Sequence, residues 1–159
     1  MSAGKPVIVY SYDVAIGKAR RYCAYQERSQ QEVRDKLYHL GLHRKEVEQA
    51  IAQLIEDGYL NEQRFASAFA GGRFRVKQWG KIRIELALKE KKVSSVCIRN
   101  ALADIDEGTY RKTLEKILKN RLRQVHEPDE RKKKYQAARY AISRGYEPGL
   151  VWQLLGGDE

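Results

Sequence analysis

Between residues 73 and 92 the chain carries Arg73, Arg75, Lys77, Lys81, Arg83, Lys89, Lys91 and Lys92, with Trp79 among them and only Glu85 and Glu90 in opposition. Such a run makes and breaks no bonds. Cations at this density hold anions, and the partners they suit are phosphate esters or an acidic protein face. The alternative reading is a set of solvated helix faces with ordinary pairing one turn apart. Trp79 fits two roles: a plane that stacks on a base or inserts into a partner, or a plug at a joint before Gly80. Arg73, Arg75, Lys81 and Arg83 are the four whose joint replacement by alanine would weaken partner binding if this run is a contact surface. A second basic run holds Arg111, Lys112, Lys116, Lys119, Arg121 and Arg123, then Arg131 to Lys134, and the same two readings apply to it.

Catalytic chemistry finds little to work with. His39 and His43 stand at the i,i+4 spacing of two metal ligands on a helix. However, Gly41 between them is a helix stop, and no third ligand accompanies them. His126 is isolated. The chain has no GxxxxGK[ST] phosphate loop, no GxSxG nucleophile turn and no GxGxxG after a strand. Its carboxylates form no recognisable catalytic pair. We expect no enzyme activity, no metal and no cofactor. Cys23 and Cys97 sit in apolar helical patterns without CxxC spacing and read as reduced, packed side chains.

Composition narrows the class further. The 159 residues carry 31 Lys and Arg against 21 Asp and Glu, a formal net charge of +10, which favours acidic partners without choosing among them. No stretch approaches the roughly 20 apolar residues of a membrane span, so no membrane partner is expected. Pro6–Tyr10 is too short for the apolar core of a signal peptide. A cytoplasmic protein is the expectation.

The elements that must position these residues repeat. Moved forward by 51 positions, Arg28–Leu54 lies on Trp79–Ile105 without a gap, pairing Val33 with Ile84, Leu37 with Leu88, Val47 with Ile98, Ala50 with Ala101 and Leu54 with Ile105. Backwards, Val14, Ala15, Ala19 and Cys23 meet Phe65, Ala66, Ala70 and Phe74. A looser copy lies 104 positions on, with Ala137, Ala141, Gly145, Tyr146, Val151, Leu154 and Leu155 on Val33, Leu37, Gly41, Leu42, Val47, Ala50 and Ile51. Asp13, Ser29, Asn61 and Ser94 read as helix caps, and Gly41 and Gly58 as stops. The first helix should reach about Glu27. Pro128 suits a helix start. Gly71-Gly72 falls within a fourth helix and could bend it. Lys81–Lys89 alternates like a strand, yet Ile82 with Leu86 and Ile84 with Leu88 also keep helical spacing, and we read helix. On the later helices Val96, Ile98, Ala101, Leu102 and Ile105, then Tyr135, Ala138, Ala141 and Ile142, mark apolar faces. Trp152 lies at an apolar-periodic position. Pro6–Tyr10 reads as a short strand without a partner. The expected architecture is all-α: an arm over residues 1–12, then three-helix repeats over 13–60, 61–105 and 106–157, stacked into an elongated, curved array.

At the first repeat boundary stands Gly58-Tyr59-Leu60-Asn61, followed by Arg64-Phe65-Ala66. Physically this is a helix stop, an apolar plug and a new cap, and that structural role accounts for the residues well. The order of elements also resembles the RecX family of regulatory proteins, from about Val14 to Leu155 and most specifically over Gly58–Phe65. Two departures are Gly71-Gly72, where members more often have bulky or charged residues, and Lys92, where the second unit often has the glycine that Gly41 supplies in the first. The resemblance implies a monomeric regulator, not an enzyme, that occupies the helical groove of the RecA recombinase filament. Binding there would curb ATP hydrolysis, strand exchange and co-protease activity in recombination and DNA repair. Direct contact with single- or double-stranded DNA would be a weaker, secondary interaction. A rival reading of the charge is a general nucleic-acid binder acting on the phosphate backbone.

Overall fold

A computed structural model describes residues 8–156, and among them every regular element is helical. In chain order these are α1 (Tyr12–Tyr25), α2 (Gln30–His39), α3 (Arg44–Glu56), α4 (Glu62–Lys77), α5 (Lys81–Glu90), α6 (Ser95–Ala103), α7 (Glu107–Gln124), α8 (Glu130–Ser143) and α9 (Pro148–Leu154). We refer to α1–α3, α4–α6 and α7–α9 as the first, second and third units. Residues 1–6 of the arm and Val7 lie outside the described residues. The part of the Pro6–Tyr10 segment that is described forms no strand; Tyr10 instead donates its backbone N–H to the Leu40 carbonyl at 3.1 Å.

The repeat is real at the level of individual hydrogen bonds. Residues 41, 92 and 145 occupy one register position, and all three have positive φ, at 92°, 60° and 102°. Each donates its N–H three residues back at 2.9 Å, and the next residue (Leu42, Val93 or Tyr146) donates five residues back at 3.2–3.3 Å. This is the Schellman turn, which satisfies carbonyls left open at a helix end. Glycine is the usual occupant because a side chain with positive φ crowds its own backbone. Two units obey; the second uses Lys92.

Several ends and faces differ from the sequence reading. Ser11 caps α1 by accepting from the Val14 N–H, while Asp13 sits in the first turn, where its charge faces the positive helix end. The helix stops at Tyr25, short of Glu27. Asp129, not Pro128, starts α8, accepting from the Arg131 and Lys132 N–H groups. Of the two i,i+4 pairs on α5, Ile84 and Leu88 are fully buried and Ile82 and Leu86 are exposed, so the alternation belongs to a helix with apolar residues on both sides. Val14, Ile55, Val96 and Tyr135 point outward as well. Tyr135 rests on the half-buried Trp152, ring centroids 6.3 Å apart, covering the core rather than entering it. The fourth helix runs through Gly71-Gly72 unbroken, with the Arg75 guanidinium lying against Gly71.

Buried apolar residues fall into two groups. One joins Ala15 to Leu60 within the first unit. The other runs without interruption from Phe65 to Leu155 through both remaining units. The second and third units are sealed by backbone contact: Gly80 N–H donates to the Arg144 carbonyl and Ile82 N–H to the Gly145 carbonyl, both at 2.9 Å. A Cβ on Gly80 would fall 2.2 Å from the Gly145 carbonyl carbon, so only glycine permits this approach. Above the seal, Tyr110 accepts from the Lys81 N–H at 2.9 Å and donates to the Glu147 carboxylate; Tyr146 donates to the Gln78 carbonyl at 3.0 Å.

Candidate partner-binding surface

The basic run of the second unit divides into three structural groups. Arg73 and Arg83 clasp Trp79, their guanidinium carbons 5.5 and 4.2 Å from the indole, and Arg73 also covers Phe69 at 4.5 Å. Trp79 is half-buried against the second core, at the joint that precedes Gly80. These three side chains form a cation–π stack of the kind that adds about 0.5–2 kcal/mol per contact. A second group is committed to carboxylates: Lys81 to Glu107 at 3.3 Å, Lys89 to Glu85 at 3.1 Å and Lys91 to Glu32 of the first unit at 3.3 Å. Arg75, Lys77 and Lys92 are exposed and make no ion pair among the described residues. Replacing Arg73, Lys81 and Arg83 would therefore disturb packing as well as charge. Arg75, Lys77 and Lys92 are the cations best placed to meet a partner.

The boundary motif connects the two cores. Gly58 takes φ 79°, Tyr59 and Leu60 both donate backbone N–H groups to the Leu54 carbonyl, and Leu60 closes the first core at 1% exposure. Asn61 caps α4 through the Arg64 N–H at 2.8 Å, and Phe65 and Ala66 open the second core. Arg64 reaches back to Glu27 at 2.5 Å and to the Gly58 and Tyr59 carbonyls at 3.1 and 3.3 Å. All seven motif residues thus sit at the joint between the first and second units.

On α7, Lys112, Lys116, Lys119 and Arg123 line a shallow trough of about 380 Å³ with Glu115 among them. Arg121 is turned away from it, over the Tyr140 ring at 4.3 Å. Arg131 and Lys132 lie exposed at the first turn of α8. His39 ends α2, and His43 precedes α3 with its Nε2 2.9 Å from Glu46; the Gly41 turn separates them. Among the described residues no group of three His, Cys, Asp or Glu side chains could hold a metal ion, and no helix is long and apolar enough to cross a membrane. Cys23 and Cys97 are free, and burial pushes the Cys23 thiol up.

One surface went unnoticed in the sequence. The outer faces of α1 and α2 and the docked arm enclose an open trough of about 850 Å³, lined by lysine, arginine, histidine and tyrosine together with Ile8 and Leu40, and by no carboxylate among the described residues. The available signal was Lys18, Arg21, Tyr22 and Tyr25 at i, i+3, i+4 and i+7 along α1, opposite the apolar stripe of Ala15, Ala19 and Cys23. A mixed basic and aromatic stripe is easily taken for a solvated face.

Comparison with known proteins places the whole arrangement. A family model described as RecX, first three-helix domain, matches residues 15–54, and one described as RecX, second three-helix domain, matches residues 61–102. Together they take in just over half of the chain. A regulatory protein RecX from Mycobacterium sp. (strain JLS) is 28% identical over 146 residues, spanning 87% of this chain and 80% of its own length. Another, from Lactobacillus johnsonii, is 33% identical over 96 residues, 60% of this chain and 35% of that longer protein. The crystal structure of RecX from Lactobacillus salivarius shares the fold at a TM-score of 0.85 over 91% of this chain and 94% of that one, with 19% identity. With both three-helix domains matched and the fold shared over nearly its full length, the chain belongs to the RecX family of regulatory proteins, which are regulators rather than enzymes.

Proposed function

We propose that this protein binds, as a monomer in the cytoplasm, in the groove of a RecA recombinase filament on DNA and inhibits its ATP hydrolysis, strand exchange and co-protease activity. The observation that carries the reading is the match of both three-helix domains to a family of regulatory proteins. The physical support is a surface built for contact rather than reaction: exposed Arg75, Lys77 and Lys92, which make no ion pair among the described residues, on a helical frame. Such cations steer association and set specificity against an acidic face more than they supply raw affinity.

The test is ATP hydrolysis by the cognate recombinase on single-stranded DNA, titrated with this protein while DNA is in excess. Inhibition that added DNA does not relieve is the expected result. A triple variant, Arg75→Ala with Lys77→Ala and Lys92→Gly, leaves both cores intact, losing only the Arg75 contact with Gly71, and should raise the half-inhibitory concentration by about 5-fold or more, since losing three steering charges removes on the order of 1 kcal/mol. Inhibition that disappears once free DNA is added would favour the rival reading, a binder of the phosphate backbone.

A further inference from the structure

The 51-residue repeat separates what the trough on the first unit owes to the fold from what it does not. Tyr22 and Arg28 fall on Arg73 and Trp79 of the second unit. In both places a guanidinium lies over an aromatic ring, at 3.7 Å in the first unit and 5.5 Å in the second, with the two roles exchanged. That clasp belongs to the repeat, and Arg28 is fixed further by the Tyr22 carbonyl at 3.0 Å and by Glu32 at 3.8 Å. Lys18, Arg21 and Lys36 fall instead on Phe69, Gly72 and Ala87. The second unit folds without a cation at any of these positions. Among the described residues none of the three makes an ion pair. The arm supplies an apolar wall. It is seated by the Tyr10 bond to Leu40 and by Val9 against Gly41, and it leaves Ile8 64% exposed along the trough.

We infer that this trough docks an acidic peptide segment of a protein partner, with carboxylates on Lys18, Arg21 and Lys36 and an apolar side chain on Ile8. Charge complementarity carries the inference. Three cations without carboxylate partners face a concavity that no carboxylate among the described residues lines. Ile8 distinguishes a peptide from a nucleic acid. A sugar-phosphate backbone gains little from an exposed isoleucine, whereas one short peptide brings carboxylates and apolar side chains together. The rings point the same way. Lys18 lies over the Tyr10 ring at 4.8 Å, and Arg28 and Lys36 lie over the Tyr22 ring, so cations already sit where a base would stack. The hydroxyls of these rings remain as donors to carboxylates. Ile8 and Val9 make no backbone–backbone hydrogen bond among the described residues, and a peptide carries the N–H and C=O groups to pair with them. The site shares no residue with Arg75, Lys77 and Lys92, and the inference goes beyond the recombinase reading without resting on it.

The experiment measures fluorescence anisotropy of a labelled decapeptide, aspartates around a central Leu-Phe pair, with the intact protein at low salt and no recombinase. The parent should bind it, and should bind the same peptide with Ser-Ser at its centre about 5-fold more weakly or worse. Arg21→Glu reverses the charge of an exposed side chain, and Ile8→Ser removes an exposed apolar one; a far-UV circular dichroism melt checks that both keep the fold. Arg21→Glu should weaken peptide binding by about 10-fold and flatten its salt dependence. Ile8→Ser should weaken it by about 5-fold with the salt dependence of the parent, and should leave the binding of labelled oligo(dT) unchanged. The Arg75, Lys77, Lys92 triple variant should bind the peptide like the parent. The inference is overturned by a parent protein that fails to bind the decapeptide, or that binds the serine peptide as tightly. It is overturned equally if Arg21→Glu or Ile8→Ser binds the peptide as the parent does, or if the triple variant loses it. Oligo(dT) binding that falls with Ile8→Ser as far as peptide binding does would make the trough a nucleic-acid site and overturn the inference as well. None of these outcomes bears on the ATPase assay.

Discussion

At the scale of single residues, the register position shared by Gly41, Lys92 and Gly145 separates two demands that glycine usually meets together. At Gly41 and Gly145 the positive φ coincides with close packing, against Val9 and against the Arg83 Cβ, which a Cβ on Gly145 would approach to 2.4 Å. At Lys92 only the backbone demand remains, and the side chain projects into solvent. A non-glycine residue in the left-handed region costs about 1–2 kcal/mol, partly offset because glycine loses more entropy on folding. Lys92→Gly should therefore stabilise the protein by about 0.5–1 kcal/mol in urea denaturation. An unchanged or lower midpoint would mean that the turn in the second unit is not strained. The glycines at 41 and 145 and the departure at 92 were visible in the sequence. What each glycine packs against was not, because Val9 and Arg83 are far from their targets in the chain.

Individual elements show why periodicity was readable and direction was not. The 51-residue register located the inward positions, and Ile84, Leu88, Ile98 and Ala101 are all buried as their counterparts are. Helical spacing alone left two equivalent i,i+4 pairs on α5, and the register chose Ile84 and Leu88; what it did not show is Gly80 meeting Gly145, the contact that holds α5 against the end of α8. The same joint carries a pH prediction. Burial pushes the Tyr146 hydroxyl up to about 12, the nearby Arg144 opposing, and raises Tyr110 further through burial and the Glu147 contact. A tyrosine that ionises near pH 10 when unfolded and higher when folded contributes stability that is whole below pH 10 and is lost as the pH climbs toward 12. Urea midpoints should fall steeply between pH 10 and 12, and Tyr146→Phe should make that fall shallower while costing about 1 kcal/mol at neutral pH through the lost bond to Gln78. Parallel pH profiles for parent and variant would remove Tyr146 from the explanation.

Across the whole molecule, three similar units do not share burial equally. The second and third are joined by a common core and by backbone hydrogen bonds, whereas no buried apolar residue belongs to both the first core and the second. Beyond the chain itself, the side-chain links from the first unit to the second include Arg64 with Glu27 and Lys91 with Glu32, exposed or half-exposed pairs of a kind that each contribute about 0–1 kcal/mol. The sequence repeat concealed this asymmetry, because a repeat records what the units have in common and a shared core depends on what differs, here Gly80, Tyr110 and Tyr146. Weak coupling predicts that the first unit unfolds separately. Its core holds thirteen buried apolar residues against twenty in the other, so it should melt at the lower urea concentration. Nature has supplied the probe, since both tryptophans, Trp79 and Trp152, belong to the larger body. Tryptophan fluorescence therefore reports on the second and third units alone, while far-UV circular dichroism reports on every helix. The dichroism transition should begin before the fluorescence moves, and Glu27→Gln with Glu32→Gln should widen the gap. Coincident transitions would show that the polar joint couples the two bodies as tightly as a core would. In that case the partner meets one rigid surface. If the transitions separate, the chain has a pivot at Gly58–Asn61, and its two bodies can turn relative to each other on a partner's surface.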